Sequence, residues 1–249
     1  MNYILTSQKD GIASLTLNSG KVNALNETLV EELQGVLINF ANDKNIKAII
    51  INGRGKFFTF GFDIPEFLNY SKADFKRYLT KFTDLYTYIF LYPKPVIAAL
   101  NGHTIAGGCM MALACDYRIM VSGKAKIALN EIEFGSSVFA GCVEMLRFCV
   151  GNRNATNILY SGAMYSAEEA KDLGLIDEVS NVESLIPAAR NTAVNLGEKP
   201  TNTFISIKSL LRTPIANEMK RKEKDSIKEF ADIWYSKSTW ENLKKIKIF

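Results

Sequence analysis

The segment from Pro95 to Asp116 constrains the fold more than any other part of the chain. An apolar strand pattern at Pro95 to Leu100 runs into a turn that ends with Gly107-Gly108, and a very apolar helix pattern covers Cys109 to Cys115. A strand that turns through glycines into a helix directs free backbone N–H groups at one point. The pattern predicts an α/β fold with a place where negative charge on a carbonyl oxygen is stabilised.

A carboxylate follows one predicted strand later, in the segment Leu129-Asn130-Glu131. Its neighbours Ala128 and Ile132 are apolar, and an apolar wall raises the pKa of a carboxyl group and suits it to proton transfer. A carbonyl-binding turn beside a single carboxylate suggests enolate chemistry on an activated acyl group. The alternative, a solvated charge at the end of a strand, stays open.

Composition limits the classes of partner. The chain of 249 residues carries a net charge of +4 and is 47% hydrophobic, which is typical of a globular protein with a sizeable core. So small a charge does not indicate nucleic acid. No apolar run reaches membrane-spanning length, and the N-terminus lacks a signal-peptide pattern. We therefore expect neither a nucleic-acid nor a membrane partner.

The cysteines and the histidine do not indicate a metal site. The four cysteines lack zinc-site spacing, and the chain has one histidine, His103. Apolar flanks favour reduced thiols, so we expect a cytoplasmic protein. His103 has no Gly-x-Ser-x-Gly elbow near it, which favours a structural role over a hydrolase triad.

The rest of the chain reads as α/β for about two thirds of its length and as helical after that. Periodicity predicts helices over 25–40 and 72–91 and a buried strand over 47–52. Beyond Ser184 the pattern is helical almost to Phe249, with expected breaks near Gly197–Pro200 and at Pro214. The tail from Phe230 to Leu243 has one apolar face, which either subunit packing or folding back onto the chain's own core explains.

Several segments together resemble the crotonase (enoyl-CoA hydratase/isomerase) superfamily. Gly53 to Ile64 is similar to its first signature, and Pro93 to Arg118 is similar to its second. Lys21 to Leu25 resembles the early Asn-Ala-Leu segment, and Ser161 to Asp177 resembles the stretch that follows the active site. The resemblance covers most of the chain in the right order.

The resemblance implies a crotonase-like spiral of ββα units over residues 1–190 and a C-terminal helical oligomerisation region over 191–249. It also implies a homotrimer or hexamer. The ligand would be an acyl-CoA thioester, so coenzyme A is part of the substrate and no separate cofactor or metal is expected.

By motif position, the resemblance implies that the backbone N–H groups of Phe62 and Gly107 hold the thioester carbonyl in an oxyanion hole. Glycine-flanked turns allow the backbone to approach a ligand closely. The other residues implied to contact substrate are Val22, Ala24, Phe60, Gly61, Asp63, Ile64 and Met110. Phe60 stands where a small residue is usual, which narrows the adenine or acyl pocket.

The departures from the family pattern discriminate between reactions. A hydratase of this superfamily uses two glutamates around one water, and the position of the first is Met110 here. Glu131 fills the second position. One carboxylate suits the proton shuttle of the Δ3,Δ2-enoyl-CoA isomerases, with Met110, Phe134 and Phe139 as an apolar wall. Glu131 is therefore the predicted catalytic residue.

Other functions remain open at this point. The same enolate stabilisation serves a hydratase, a hydrolase or a decarboxylase of the crotonase fold. A non-catalytic acyl-CoA binding paralogue is also consistent with Met110. Asp116 is expected to cap or form a salt bridge where the helix meets the next strand.

Overall fold

The computed structural model describes residues 2–246. Its main sheet has six strands in the order β1-β2-β3-β5-β7-β9, and a second sheet has three in the order β4-β6-β8. The strands are β1 (Ile4–Lys9), β2 (Ile12–Leu17), β3 (Ala48–Gly53), β4 (Phe57–Thr59), β5 (Val96–Leu100), β6 (His103–Ile105), β7 (Tyr117–Val121), β8 (Ile127–Ala128) and β9 (Glu178–Ser180). β1 and β2 pair antiparallel, and every other pairing is parallel.

The helices follow the strand pairs along the chain. They are α1 (Glu27–Asn42), α2 (Ile64–Phe67), α3 (Lys72–Phe90), α4 (Gly107–Ala114), α5 (Ala140–Ser161), α6 (Ala167–Leu173), α7 (Leu185–Gly197), α8 (Thr201–Trp234) and α9 (Lys237–Leu243). A 3-10 turn covers Glu131–Phe134. No helix among residues 2–246 is both long and apolar enough to cross a membrane.

Glycines allow the chain to pass from the main sheet to the second sheet. The passage from β3 to β4 begins at Gly53, where a β-carbon would lie 2.1 Å from the Phe57 carbonyl oxygen. The passage from β5 to β6 contains Gly102, where a β-carbon would lie 2.0 Å from the Lys56 carbonyl oxygen. Because neither place leaves room for a side chain, these corners require glycine. The repeated strand–strand–helix passage confirms the predicted ββα spiral.

The start of α1 and the path of α8 differ from the sequence prediction. Leu25 precedes the first helix and forms a β-bridge with Phe62, and α1 is capped by the side chain of Asn26. Pro214 lies inside α8 and does not break it, so that prediction was wrong. Pro214 is exposed, and buried residues before and after it hold the helix against the protein.

Residue 190, the predicted boundary of the helical region, lies inside α7, which packs on β3 and β5 of the main sheet. The helices that leave the sheet begin with α8, which packs on α3 and α5. The last three residues of the predicted region, 247–249, lie outside the described residues. The role of this region in oligomerisation stays a prediction.

A buried ionic cluster joins α8 to the main sheet. The Asp116 carboxylate accepts hydrogen bonds from the Val96 N–H at 2.8 Å and from Lys208 Nζ at 2.7 Å. Arg212 approaches the same carboxylate at 3.2 Å and donates to the Ala114 carbonyl at the end of α4. The predicted salt bridge of Asp116 is confirmed, and it fixes α8 beside α4.

Candidate active site

A pocket of about 280 Å³ lies where the first turn of α4, the 3-10 turn and the C-terminal helices meet. Its lining is mostly apolar and aromatic, as is usual for small-molecule sites. The lining residues are Phe60, Phe62, Ile64, Ile105, Ala106, Gly107, Met110, Asn130, Glu131, Glu133, Phe134, Phe230, Trp234 and Ile246. A larger groove of about 460 Å³ between α3 and α8 is lined by charged residues such as Lys220 and Asp225, and the glycine turns do not border it.

Gly61 allows two turns of the backbone to touch. Its φ is +96°, a conformation that favours glycine, and a β-carbon there would lie 2.9 Å from the Ile105 carbonyl oxygen. The same β-carbon would lie 3.2 Å from the Gly107 nitrogen. The turn at Gly61-Phe62 therefore lies directly against the start of α4.

Two backbone N–H groups are free at this contact. The bridge with Leu25 uses the Gly61 carbonyl and the Asp63 N–H, and the first backbone bond of α4 runs from the Met110 N–H to the Ala106 carbonyl. Within residues 2–246, the N–H groups of Phe62 and Gly107 donate to no acceptor. The pair fits the geometry expected of an oxyanion hole.

Ala106 sets the direction of the second N–H group. Its φ of 51° and ψ of −117° are unusual for a residue with a side chain. Since ψ of Ala106 rotates the peptide plane that contains the Gly107 nitrogen, this conformation aims that N–H group. Such strain persists where surrounding contacts hold it, often at ligand sites.

Glu131 is the buried carboxylate of the pocket. It begins the 3-10 turn directly after β8, and its side chain is only 3% exposed. Its Oε2 atom makes no hydrogen bond among the described residues. Burial raises the pKa of Glu131 to about 8, and a hydrogen bond from the backbone opposes that shift.

Met110 lies one turn into α4 and lines the same pocket as Glu131 and Gly107. Phe134 also lines it, as predicted for the apolar wall. Phe139 does not line it, and its ring centre lies 4.4 Å from that of Phe230, which does. A contribution of Phe139 to the apolar wall around Glu131 stays a prediction.

Four residues predicted to contact substrate do not line this pocket: Val22, Ala24, Gly61 and Asp63. The Val22 carbonyl accepts a hydrogen bond from the Phe60 N–H at 3.0 Å, and Asp63 caps α2 through the Glu66 N–H. Val22 and Ala24 are buried. Contact of these four residues with substrate stays a prediction, whereas Phe60 and Ile64 lie at the pocket itself.

The sequence argument missed a second carboxylate and the C-terminal wall. Glu133 lines the pocket, but it is exposed and lies near Gly162 at the end of α5. Phe230 and Trp234 of α8 and Ile246 after α9 form the C-terminal wall. Of the two explanations given for the apolar face of the tail, the structure supports folding back onto the chain itself for Phe230 and Trp234.

No group of three or more His, Cys, Asp or Glu side chains among the described residues is arranged to hold a metal ion. His103 accepts a hydrogen bond from the Lys126 N–H at 3.2 Å and does not line the pocket. The expectation that neither metal nor cofactor takes part stays a prediction.

Comparison with known proteins points to one family. The family described as enoyl-CoA hydratase/isomerase matches residues 7–245. A probable enoyl-CoA hydratase of Bacillus subtilis is 32% identical over 98% of this chain and 95% of its own length. The mitochondrial enoyl-CoA delta isomerase 1 of Rattus norvegicus is 30% identical over 88% of this chain and 77% of its own length.

The fold has solved counterparts as well. The crystal structure of human mitochondrial delta3-delta2-enoyl-CoA isomerase superposes with a TM-score of 0.92 and 24% identity, covering 97% of this chain and 95% of that one. At that identity the likeness concerns the fold. Relatives of about equal similarity are named for hydration and for isomerisation.

Proposed function

Because the chain belongs to the enoyl-CoA hydratase/isomerase family, we propose that it is a Δ3,Δ2-enoyl-CoA isomerase of fatty-acid breakdown. The observation that carries the proposal is the buried carboxylate of Glu131, whose Oε2 atom has no hydrogen-bond partner among the described residues, in a pocket that Met110 also lines. By the family resemblance, Met110 occupies the position of a hydratase's first glutamate. One carboxylate can move a proton between two carbons. It cannot easily also hold a water molecule for addition.

In the first step, the ionised Glu131 takes the proton from C2 of a 3-enoyl thioester. The electron pair of that C–H bond is delocalised over the acyl group of the substrate, and negative charge develops on the thioester carbonyl oxygen. We expect the N–H groups of Phe62 and Gly107 to stabilise this charge, because neither donates to another acceptor within residues 2–246. Each such donor typically lowers a barrier by about 3–4 kcal/mol.

In the second step, the protonated Glu131 returns the proton at C4. The electrons of the dienolate form the C2–C3 double bond and restore the thioester carbonyl, so no atom is gained or lost. The mostly apolar lining around Glu131 supports this transfer, because it offers competing water few hydrogen-bond partners.

A hydratase is the second candidate, favoured by Glu133 on the rim of the same pocket and by the hydratases among the relatives. Glu133 is exposed, whereas a hydratase needs a carboxylate that holds one water molecule in a closed site. This difference favours the isomerase. The two candidates make opposite predictions for the loss of Glu133.

The experiment compares three activities of the purified protein. With 3-hexenoyl-CoA, isomerisation produces a conjugated thioester and raises its absorbance, whereas hydration of crotonyl-CoA lowers it. Release of free CoA, followed with a thiol reagent, reports hydrolysis. We expect isomerisation only. Strong hydration or thiol release would replace the proposal with the matching alternative, and binding without turnover would indicate a non-catalytic paralogue.

Two neighbouring variants form a matched pair for the same assays. Glu131→Gln keeps the size of the side chain but removes the base, and we expect isomerisation to fall by at least about 100-fold. Glu133→Gln changes a carboxylate two positions away and is expected to leave isomerisation intact. Near-normal isomerisation by Glu131→Gln would remove this residue from the mechanism.

The remaining proposals concern the setting of the reaction. We propose that coenzyme A is part of the substrate and not a separate cofactor. We also propose that no metal or redox cofactor is needed, since a proton shuttle involves no net oxidation. We also propose a homotrimer or hexamer in the cytoplasm. Usual oligomerisation in this family and the exposed apolar face of α8 support the assembly.

A further inference from the structure

Helix α9 holds the end of the 3-10 turn that begins with Glu131. The hydroxyl of Thr239 donates a hydrogen bond of 2.6 Å to the carbonyl of Gly135, the residue that ends the turn. The side-chain amide of Asn242 points at the preceding carbonyl, that of Phe134, at 3.4 Å. Two consecutive carbonyls of the turn thus accept from residues more than a hundred positions later in the chain.

The position of the Glu131 carboxylate depends on this turn. Its Oε2 atom makes no hydrogen bond to any described residue, and the hydrogen bond that the carboxylate does accept comes from the backbone of Glu131 itself. The Glu131 carbonyl accepts from the Ser136 N–H at 2.9 Å, which closes the turn on itself. A shift of Gly135 would therefore move the backbone from which Glu131 projects.

Helix α9 is itself anchored firmly enough to hold the turn. Thr239 is only 2% exposed and Leu243 is fully buried. The rings of Tyr235 and Trp240 stack with centres 5.0 Å apart, and the Tyr235 hydroxyl donates to the Tyr70 carbonyl at 2.7 Å. These contacts fix α9 to the segment between α2 and α3 on one side and to the catalytic turn on the other.

We propose that Thr239 is a positioning residue, which holds the Glu131 carboxylate at its working distance from the acyl chain through the bond to Gly135. The inference rests on the proposed function of Glu131. It assigns the C-terminal helix a part in catalysis without contact between Thr239 and substrate, since Thr239 does not line the pocket.

The test measures kcat and KM for isomerisation of 3-hexenoyl-CoA by Thr239→Val and Thr239→Ser. Valine has the shape of threonine but cannot donate, and serine retains the donor. We expect kcat of Thr239→Val to fall roughly 10- to 100-fold with KM nearly unchanged, the cost of a misplacement of about 1 Å. Thr239→Ser should restore most of kcat. Thr156→Val removes a similar hydrogen bond, from a hydroxyl to the Asn152 carbonyl, on an exposed part of α5, and it should change neither kcat nor KM.

A double-variant cycle separates positioning from general stabilisation. If Thr239 acts through Glu131, Thr239→Val should cause no further loss in a Glu131→Gln protein. Full kcat in folded Thr239→Val, or an equal loss in both backgrounds, would overturn the inference while leaving Glu131 as the base. Activity of Glu131→Gln itself would instead overturn the proposed function.

Crystal structures of wild type and Thr239→Val give a readout that does not depend on turnover. We expect the Glu131 carboxylate to move by about 1 Å as the turn relaxes. An unmoved carboxylate would contradict the inference even if the protein catalyses another reaction. If Thr239→Val does not fold, Asn242→Ala removes the longer, weaker bond of the same pair and should show a smaller shift in the same direction.

Discussion

The buried surroundings of the Glu131 carboxyl group disfavour its ionised form. Burial raises its pKa from 4.5 to about 8, so most of it is protonated near neutral pH in the free protein. The same shift makes the ionised form a stronger base for the proton transfer proposed above. At neutral pH a smaller fraction of Glu131 is therefore ionised, but the ionised form is more basic. Many catalytic carboxylates combine these two properties.

The first prediction concerns the pH dependence of isomerisation. Because the base must be ionised, kcat/KM should rise about tenfold per pH unit as pH increases toward about 8, then level off. The rate of 3-hexenoyl-CoA isomerisation across pH gives this profile directly. A rate that is already constant well below pH 8 would show that Glu131 ionises normally or is not the base.

The second prediction concerns the pH dependence of stability. Below pH about 4.5, Glu131 is protonated in both the folded and the unfolded protein, so it adds no pH dependence. Between about 4.5 and about 8 the unfolded chain ionises and the folded protein does not, which costs about 1.4 kcal/mol per pH unit. In urea unfolding, the free energy of unfolding of Glu131→Gln should increase relative to that of wild type as pH rises through this range. A constant difference would contradict the raised pKa.

The third prediction tests the contact between the two turns. Gly61→Ala should lose activity at least about tenfold, because its β-carbon would push on the Ile105 carbonyl and the Gly107 nitrogen. Gly55→Ala is the control, since Gly55 also has a positive φ but nothing lies within 4 Å of its β-carbon. Both variants should lose stability, by about 1–2 kcal/mol for the backbone conformation alone. Equal activities would exclude this turn from the site.

The structure brings Phe62, Gly107, Met110 and Glu131 together at one pocket. The glycine turn before α4 and the carboxylate that follows a strand were visible as local patterns, whereas the roles of Phe62, Gly107 and Met110 were implied by the resemblance to the crotonase superfamily. Trp234 and Ile246 could not be placed in that way, because their positions depend on how α8 and α9 pack. Glu133 was missed because its place at the pocket depends on the 3-10 turn, which no sequence pattern indicated.

At the scale of elements, α8 supplies the N-terminal cap of α5. The Ala140 N–H donates to Ser226 Oγ at 2.8 Å, and the Gly141 N–H donates to Glu223 Oε2 at 2.8 Å. Phe139, at the cap position of α5, cannot provide this acceptor. The helix therefore begins where the sequence gives no local start signal.

The fourth prediction measures this cap. Ser226→Ala removes an acceptor from a partly buried helix start and should lower the free energy of unfolding by about 1 kcal/mol. Ser209→Ala, on an exposed part of the same helix, should change it much less. Urea unfolding of the two variants at one pH makes the comparison. Equal losses would show that Ser226 contributes only helix propensity.

At the scale of the whole molecule, α8 presents two different faces. One contains the buried Lys208, Arg212 and Ala216 that fix the helix to the protein. The other exposes Ile207, Leu210, Leu211 and Pro214, spaced as one helical stripe. Contiguous exposed apolar surface is a common feature of interaction sites. A second copy of the chain is the occupant consistent with the proposed trimer or hexamer.

The last prediction follows from the exposure of Leu210, which is 75% in the single chain. If this stripe packs between subunits, Leu210→Glu buries a charge at the contact and should shift the protein from oligomer to monomer in sedimentation velocity experiments. Val182→Glu places the same charge at an equally exposed apolar residue away from α8 and should leave the assembly unchanged. The pocket wall of Phe230 and Trp234 comes from the chain's own α8, so the monomer should retain part of its activity. A monomeric wild type, or an intact Leu210→Glu oligomer, would show that the stripe has another purpose.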